Sequence, residues 1–194
     1  MARHSVGPTP VGRYVGRLSP EKNLSMLLDA ARELLGQGHA MLVLLVGDGP
    51  ARQALRTHAE RLSTADHVTL AGYAADPRPY YSAMDAFVLL SRSEGLPNVL
   101  FKAMAMEVPA ICTLVAGVPA VIEPEHNGLL VPLHDIQATV PAVRRLIDDR
   151  ALASRLGQAG REHVERHHSF DRRTERLCET YRRLMGPEIA RPSR

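Results

Sequence analysis

Asp85-Ala-Phe-Val-Leu-Leu90 runs straight into Ser-Arg-Ser-Glu-Gly-Leu-Pro-Asn-Val-Leu-Phe-Lys-Ala-Met-Ala-Met-Glu, residues 91–107. This join limits the chain to few folds. The apolar run has the length of a strand and stops at Ser91, and Gly95 and Pro97 break the next stretch into a tight loop. From Asn98 the residues turn helical: Asn98 suits the capping position, and Leu100, Ala103, Met104 and Met106 suit a helix. The result is strand, loop, helix, with an acid, Glu94, at the lip of a sheet and free amides at the helix start. Such amides bind anions, phosphate above all. In open α/β sheets ligands sit at this carboxyl end of the strands.

The rest of the chain repeats the alternation. Val11 to Leu18 reads as a first strand. Ser19-Pro20-Glu21 reads as a helix start, with Ser as cap, Pro at the first helical position and an acid in the first turn. Leu24, Leu27, Leu28, Ala31, Leu34 and Leu35 follow at helical spacing, and Gly36 ends that helix. Met41 to Val46 is continuously apolar, the mark of a strand buried on both faces. Gly47-Asp48-Gly49-Pro50 turns into a helix through Leu62. Further strands are expected at Val68–Ala71, 86–90, Pro109–Cys112 and Gly128–Pro132, with short helices at Arg78–Met84 and after Gly117. Strands alternating with helices mean a parallel sheet covered on both faces, a Rossmann-like three-layer α/β/α domain.

Past Asp135 only helices are expected, at 136–148, 151–166 and 169–185. Residues 1–10, polar with two prolines, read as a linker remnant. Residues 11–168 read as the α/β domain, 169–185 as a C-terminal helix and 186–194 as a disordered tail. In the last helix Phe170, Leu177 and Leu184 recur every seven residues, with Tyr181 beside them. That seam wants a partner surface.

Several function classes fall away. No apolar run approaches a membrane span, and the N-terminus lacks the apolar core of a signal peptide, so a cytoplasmic protein is expected. Cys112 and Cys178 are the only cysteines and form no C-x-x-C, which argues against a zinc or redox site. His163 and His167 have the spacing of metal ligands on a helix but no third ligand nearby, which favours a surface face. Aromatic residues are 4% and Trp is absent, so single-stranded nucleic acid finds no stacking platform. The arginines at 172, 173, 176, 182 and 183 make either a solvated helix face or a contact for anionic lipid.

In a parallel sheet every strand ends at one edge. The first expected strand delivers Arg17 and then Lys22, the third Gly72 and Tyr73, the fourth Glu94 and the backbone of Gly95, Leu96, Pro97, Asn98 and Val99. Two cations and a helix start suit a diphosphate. Glu94 suits the hydroxyls of a sugar. The plainer alternatives are a solvated charged helix start at Arg17 and Lys22, a loop cap at Glu94, and a simple turn at Gly47-Asp48-Gly49.

Here the residues spell a family. G-R-L-S-P-E-K-N (16–23), L-V-G-D-G-P (45–50), V-T-L-A-G-Y (68–73), S-E-G-L-P-N-V-L-x-x-A-M-A (93–105), G-V-P (117–119) and N-G-L-L-V-P (127–132) resemble the group 1, family 4 glycosyltransferases. The resemblance is to their C-terminal half, which binds the nucleotide sugar, and covers residues 11–160. It implies half of a GT-B fold, two facing Rossmann-like domains with the active site between them. It implies sugar transfer from a UDP- or GDP-sugar with retention, in polysaccharide biosynthesis, with no metal or other cofactor; no D-x-D occurs in the chain. By resemblance Arg17 and Lys22 hold the donor diphosphate, Glu94 is the catalytic acid at the sugar, and Gly72, Tyr73 and the Gly95–Val99 backbone line the donor.

The chain departs from the family in places. Position 102, where the family carries a second acid that holds the ribose, is Lys102, one of only two lysines. Glu107 replaces a small residue, and the family's Gly-Gly-x-P-Glu reads Ala116-Gly-Val-Pro-Ala120. The acceptor-binding half does not appear in the sequence. The expected partners are therefore a nucleotide sugar and either a separate acceptor-domain chain or a second copy through the last helix, with peripheral contact at the inner membrane face left open. The alternative function is a non-catalytic nucleotide- or partner-binding remnant of such an enzyme.

Overall fold

The computed structural model describes residues 11–185. The expected linker at 1–10 and the expected tail at 186–194 lie outside the described residues. Among the described residues the sheet has six strands: β1 (Val11–Val15), β2 (Leu42–Val46), β3 (Val68–Gly72), β4 (Ala86–Leu89), β5 (Ala110–Thr113) and β6 (Leu129–Val131). All neighbours are parallel, in the order β3-β2-β1-β4-β5-β6. The chain thus builds outward from β1 to β3, then returns to the other side of β1 with β4. Gly12 pairs with Ala86 and Arg13 with Phe87 across this reversal. The carboxyl ends of β1 and β4 therefore flank a topological switch point, where open α/β sheets form their ligand crevice.

Seven helices accompany the sheet among the described residues: α1 (Leu24–Gly36), α2 (Arg52–Arg61), α3 (Arg78–Ser82), α4 (Asn98–Ala105), α5 (Ile136–Asp148), α6 (Arg150–His167) and α7 (Phe170–Met185). α1 packs on α2 and α5, and α4 packs on α6. Right-handed crossovers running in opposite directions from β1 put α1 and α4 on opposite faces of the sheet. β4 and β5 are accordingly buried throughout, as Phe87, Val88, Leu89, Ile111 and Cys112 show, whereas β2, expected to be buried on both faces, leaves Leu42 and Leu44 half-buried next to the edge strand β3. β3, at the edge, alternates half-buried and exposed residues. The domain is Rossmann-like α/β/α, as the sequence led us to expect.

Three local expectations are corrected. β1 ends at Val15, not Leu18, although Gly16 and Leu18 still donate to the carbonyls of Val46 and Asp48 at 2.9 Å. The helix expected from Ser19 is split into a 3-10 turn, Pro20–Lys22, then Asn23 at φ 51°, and only then α1. Ser19 does not cap it; its hydroxyl donates to Glu21 Oε1 at 2.6 Å. Asn98 is not a cap but the first residue of α4, with extended Pro97 before it. The Pro97 carbonyl accepts from Leu100 and Phe101. Two caps went unread: Asp135 accepts the Ala138 amide and Asp149 the Leu152 amide, each at 2.8 Å.

Candidate functional site

The acid-bearing loop after β4 is held from several sides. Glu94 Oε1 accepts from the Ser91 hydroxyl at 2.6 Å and from Lys22 Nζ at 2.7 Å. The Glu94 side chain is 8% exposed and that of Lys22 20%. The Ser91 carbonyl accepts from Thr113 Oγ1, so β5 anchors the loop. The Glu94 carbonyl accepts from the Gly117 amide at 3.1 Å. The Arg92 amide donates to the Glu21 carbonyl at 2.8 Å, tying this loop to the turn that carries Lys22. The split in the expected first helix now has a physical reason: the turn faces Lys22 across the switch point to Glu94. Both side-chain bonds fall on one carboxylate oxygen, Oε1, and leave Oε2 outside them.

Glu94 also acts on its surroundings. Burial pushes the Tyr14 phenol up, and the charge of Glu94 adds to this. Burial also pushes the Cys112 thiol up, again with a contribution from Glu94. Tyr14 therefore stays protonated, and its hydroxyl donates to the Arg17 carbonyl at 3.1 Å. Its ring stacks on Phe87 of β4, centroids 6.3 Å apart. Tyr14 thus fixes the backbone that presents Arg17.

A cleft of 320 Å³ lies at the carboxyl ends of β1, β2 and β3, with Val99 of α4 in its wall but neither Glu94 nor Lys22. Arg17, Asp48, Tyr73, Tyr81, Val99 and Lys102 are among its walls. Arg17 and Lys102 are exposed, and Tyr73 is 80% exposed. The amides of Asn98 and Val99 precede the first hydrogen bonds of α4, so the helix leaves them unmet. The loops behind the cleft touch: a β-carbon on Gly47, whose φ is +136°, would stand 1.9 Å from the Gly16 carbonyl oxygen. A second groove, of 580 Å³, lies between the starts of α1 and α2, with Asn23, His58, Arg61 and Arg92 in its walls. It is larger than the cleft but takes in none of the site residues expected from the sequence.

The expected residues therefore fall into groups. Lys22 and Glu94 are joined directly. Arg17, Tyr73, Val99 and Lys102 share the cleft. Gly95, Leu96 and Asn98 are exposed along the loop, while Pro97 is buried beneath it. Gly72 lies behind the cleft; its carbonyl accepts the Gly47 amide at 2.7 Å. Sequence reasoning missed Tyr14, Ser91, Thr113 and Gly117. Ser91 and Gly117 stand in or beside the quoted motifs, but what their atoms bond to is set by distant strands. Among the described residues no group of three or more His, Cys, Asp or Glu is placed to hold a metal ion. Nor, among the described residues, is any helix long and apolar enough to cross a membrane.

Comparison with known proteins gives this geometry a context. The lipopolysaccharide core biosynthesis glycosyltransferase LpsE of Rhizobium meliloti is 31% identical over 153 residues, 79% of this chain and 44% of LpsE. Among solved structures, the C-terminal domain of a glycosyl transferase group 1 family protein (LpcC) from Francisella tularensis superposes with a TM-score of 0.74 at 22% identity. It matches 83% of this chain and 87% of that domain. Anabaena HepE in complex with UDP superposes with a TM-score of 0.83 at 22% identity, over 89% of this chain and 48% of HepE. The chain spans about half the length of the curated relatives it matches. The model of the family described as "Glycosyl transferases group 1" matches residues 6–163, and with that match the chain belongs to the group 1 glycosyl transferases.

Proposed function

We infer that this chain is the donor-binding half of a glycosyltransferase that moves a sugar from a nucleotide sugar to an acceptor with retention at the anomeric carbon. One observation carries the reading: the Lys22–Glu94 pair stands at the switch point between β1 and β4, on the same edge of the sheet as the cleft that holds Arg17. Arg17, Lys22 and the start of α4 hold the diphosphate. Glu94 exchanges its bond to Lys22 for one to a sugar hydroxyl, which frees Lys22 for phosphate. Tyr73, the Gly95–Val99 backbone and Lys102 line the rest of the donor. The cations meet the diphosphate charge, so this reading calls for no metal. UDP in the HepE structure supports a nucleotide ligand, and LpsE supports a role in polysaccharide synthesis. The other wall of the cleft comes from an acceptor-binding domain or chain. The reading places the protein in the cytoplasm, with α7 as its surface for self-association or for the inner membrane face.

Titration calorimetry with UDP, UDP-glucose and GDP-mannose tests the reading. We expect binding of at least one, weakened about tenfold or more by Arg17→Ala, since a hydrogen bond to a charged group contributes about 1.5–3 kcal/mol. Glu94→Gln should keep the nucleoside diphosphate and lose the added affinity of the sugar. Absence of nucleotide binding, or binding indifferent to Arg17→Ala, refutes the reading. Retention is checked by the anomeric signal of the product once an acceptor-binding half is supplied.

A further inference from the structure

The cleft at the carboxyl ends of β1, β2 and β3 is rich in donors and poor in acceptors. Arg17 stands on one wall, after β1. Lys102 stands on another, three residues along α4 from Val99 and on the same helix face. Among the described residues neither cation is in an ion pair. Among the described residues the one carboxylate in the wall is Asp48, whose Oδ1 accepts the Gly49 amide at 2.7 Å. The Tyr81 hydroxyl is spent on the Val99 carbonyl. An ammonium offers three donors and no acceptor. A hydroxyl facing Lys102 can accept a bond from it but cannot donate one back, whereas an anion adds the attraction of opposite charge.

We propose, resting on the nucleotide reading above, that Lys102 is a specificity-determining residue that selects ligands with a second phosphate, set apart from the one at Arg17. That phosphate is either the outer one of a diphosphate or one carried on the ribose. The two cations divide the work: Arg17 holds the phosphate next to the nucleoside, and Lys102 adds affinity only when a further anion reaches the α4 wall. At 320 Å³ the cleft is at the small end of ligand pockets, so the two cations in its walls bear on which anions fit together there.

Calorimetry on the full 194-residue chain at fixed ionic strength, with UMP, UDP and uridine 3′,5′-bisphosphate, decides it. The wild type should bind one of the two doubly phosphorylated ligands about tenfold tighter than UMP, and Lys102→Ala and Lys102→Glu should reduce that gain, Lys22 and the start of α4 keeping the rest. A gain for UDP alone names the outer phosphate as the source; a gain for the bisphosphate names the ribose phosphate. Lys102 is exposed, so both variants should melt with the wild type, checked by circular dichroism. Equal affinities for UMP and both diphosphorylated ligands overturn the inference, as does a Lys102→Glu variant that binds them as well as the wild type or better. Arg17→Ala separates this failure from that of the site. If it weakens UDP binding while the Lys102 variants change nothing, the nucleotide site stands and Lys102 is not part of its selectivity. If Arg17→Ala also changes nothing, or neither the uridine nor the matching guanosine series binds, both readings fall.

Discussion

Gly117 packs against Gly95 so closely that a β-carbon on Gly117 would stand 1.8 Å from the Gly95 carbonyl oxygen. Backbone cannot yield that far, so the loop carrying Glu94 must move. Gly117→Ala should cost about 1–3 kcal/mol, the usual range for overpacking, and should weaken nucleotide binding with it. Gly95 itself faces open space, and a β-carbon there would meet nothing within 4 Å. Gly95→Ala should therefore leave stability nearly unchanged. Urea unfolding of both variants checks the contrast; equal midpoints would contradict it.

The Lys22–Glu94 pair should behave as one unit. Lys22→Met leaves a carboxylate that is 8% exposed with Ser91 as its remaining side-chain partner. The expected loss is about 1–3 kcal/mol, below that of a fully buried pair because Lys22 keeps some contact with water. Adding Glu94→Gln removes the stranded charge and should restore most of the loss. A double variant whose cost equals the sum of the two single costs would show that the residues do not interact.

Acid should loosen the junction of α6 and α7. The His163 ring lies 4.9 Å from that of His167 and 5.5 Å from that of His168, and His168 packs on Phe101 of α4. Burial holds His163 below the ordinary histidine value of 6.5, with His167, Arg166 and His126 adding to the shift and Glu123 opposing it. Burial does the same to His168, helped by His163, His167 and Arg176. The unfolded chain thus takes up protons that the folded one resists. This stability is complete above pH 6.5 and is lost as the pH falls from there through the lowered folded values. The melting temperature should drop between pH 7.5 and pH 5.5, and His163→Gln with His168→Gln should flatten the drop. A melting temperature that rises on acidification would count against this account.

Helix α7 should drive association. Leu177, Tyr181, Leu184 and Met185 are 55, 56, 76 and 51% exposed. The side chain of Phe170, expected in the same seam, lies outside the described residues. Uncovered apolar surface of this kind gathers partners. We expect sedimentation to show concentration-dependent self-association that Leu177→Glu reduces; a monomer at every concentration would refute it.

The fold was legible because the pattern that dictates it is local. Met41–Val46 and 86–90 are apolar throughout, as strands of a covered parallel sheet are, although Leu42 and Leu44 prove half-buried. The residues that converge were legible too, since a parallel sheet brings Arg17, Tyr73 and Glu94 to one edge. The fine structure was not. Ser19-Pro20-Glu21 reads as a helix start on local chemistry, and the contact that organises it lies 72 residues away at Glu94. Asn98 reads as a cap until Pro97 is seen to take that place. The roles of Ser91 and Thr113 depend on the register of β4 and β5, in which Leu89 faces Cys112, and no periodicity reports that.

The strand order also fixes the order of assembly. β1 is bonded to both β2 and β4, yet Gly12 must wait for Ala86 before its second edge is paired. On the ribosome, the chain therefore emerges with one side of its central strand open, and α4, which can pack on β4 and β5, lacks its helical neighbour until α6 follows it out. Pairings of such separation form slowly, and open edges invite other chains. The crevice between β1 and β4 cannot form before β4 has emerged, so pauses in translation before residue 90 prolong the interval in which that edge of β1 stays open.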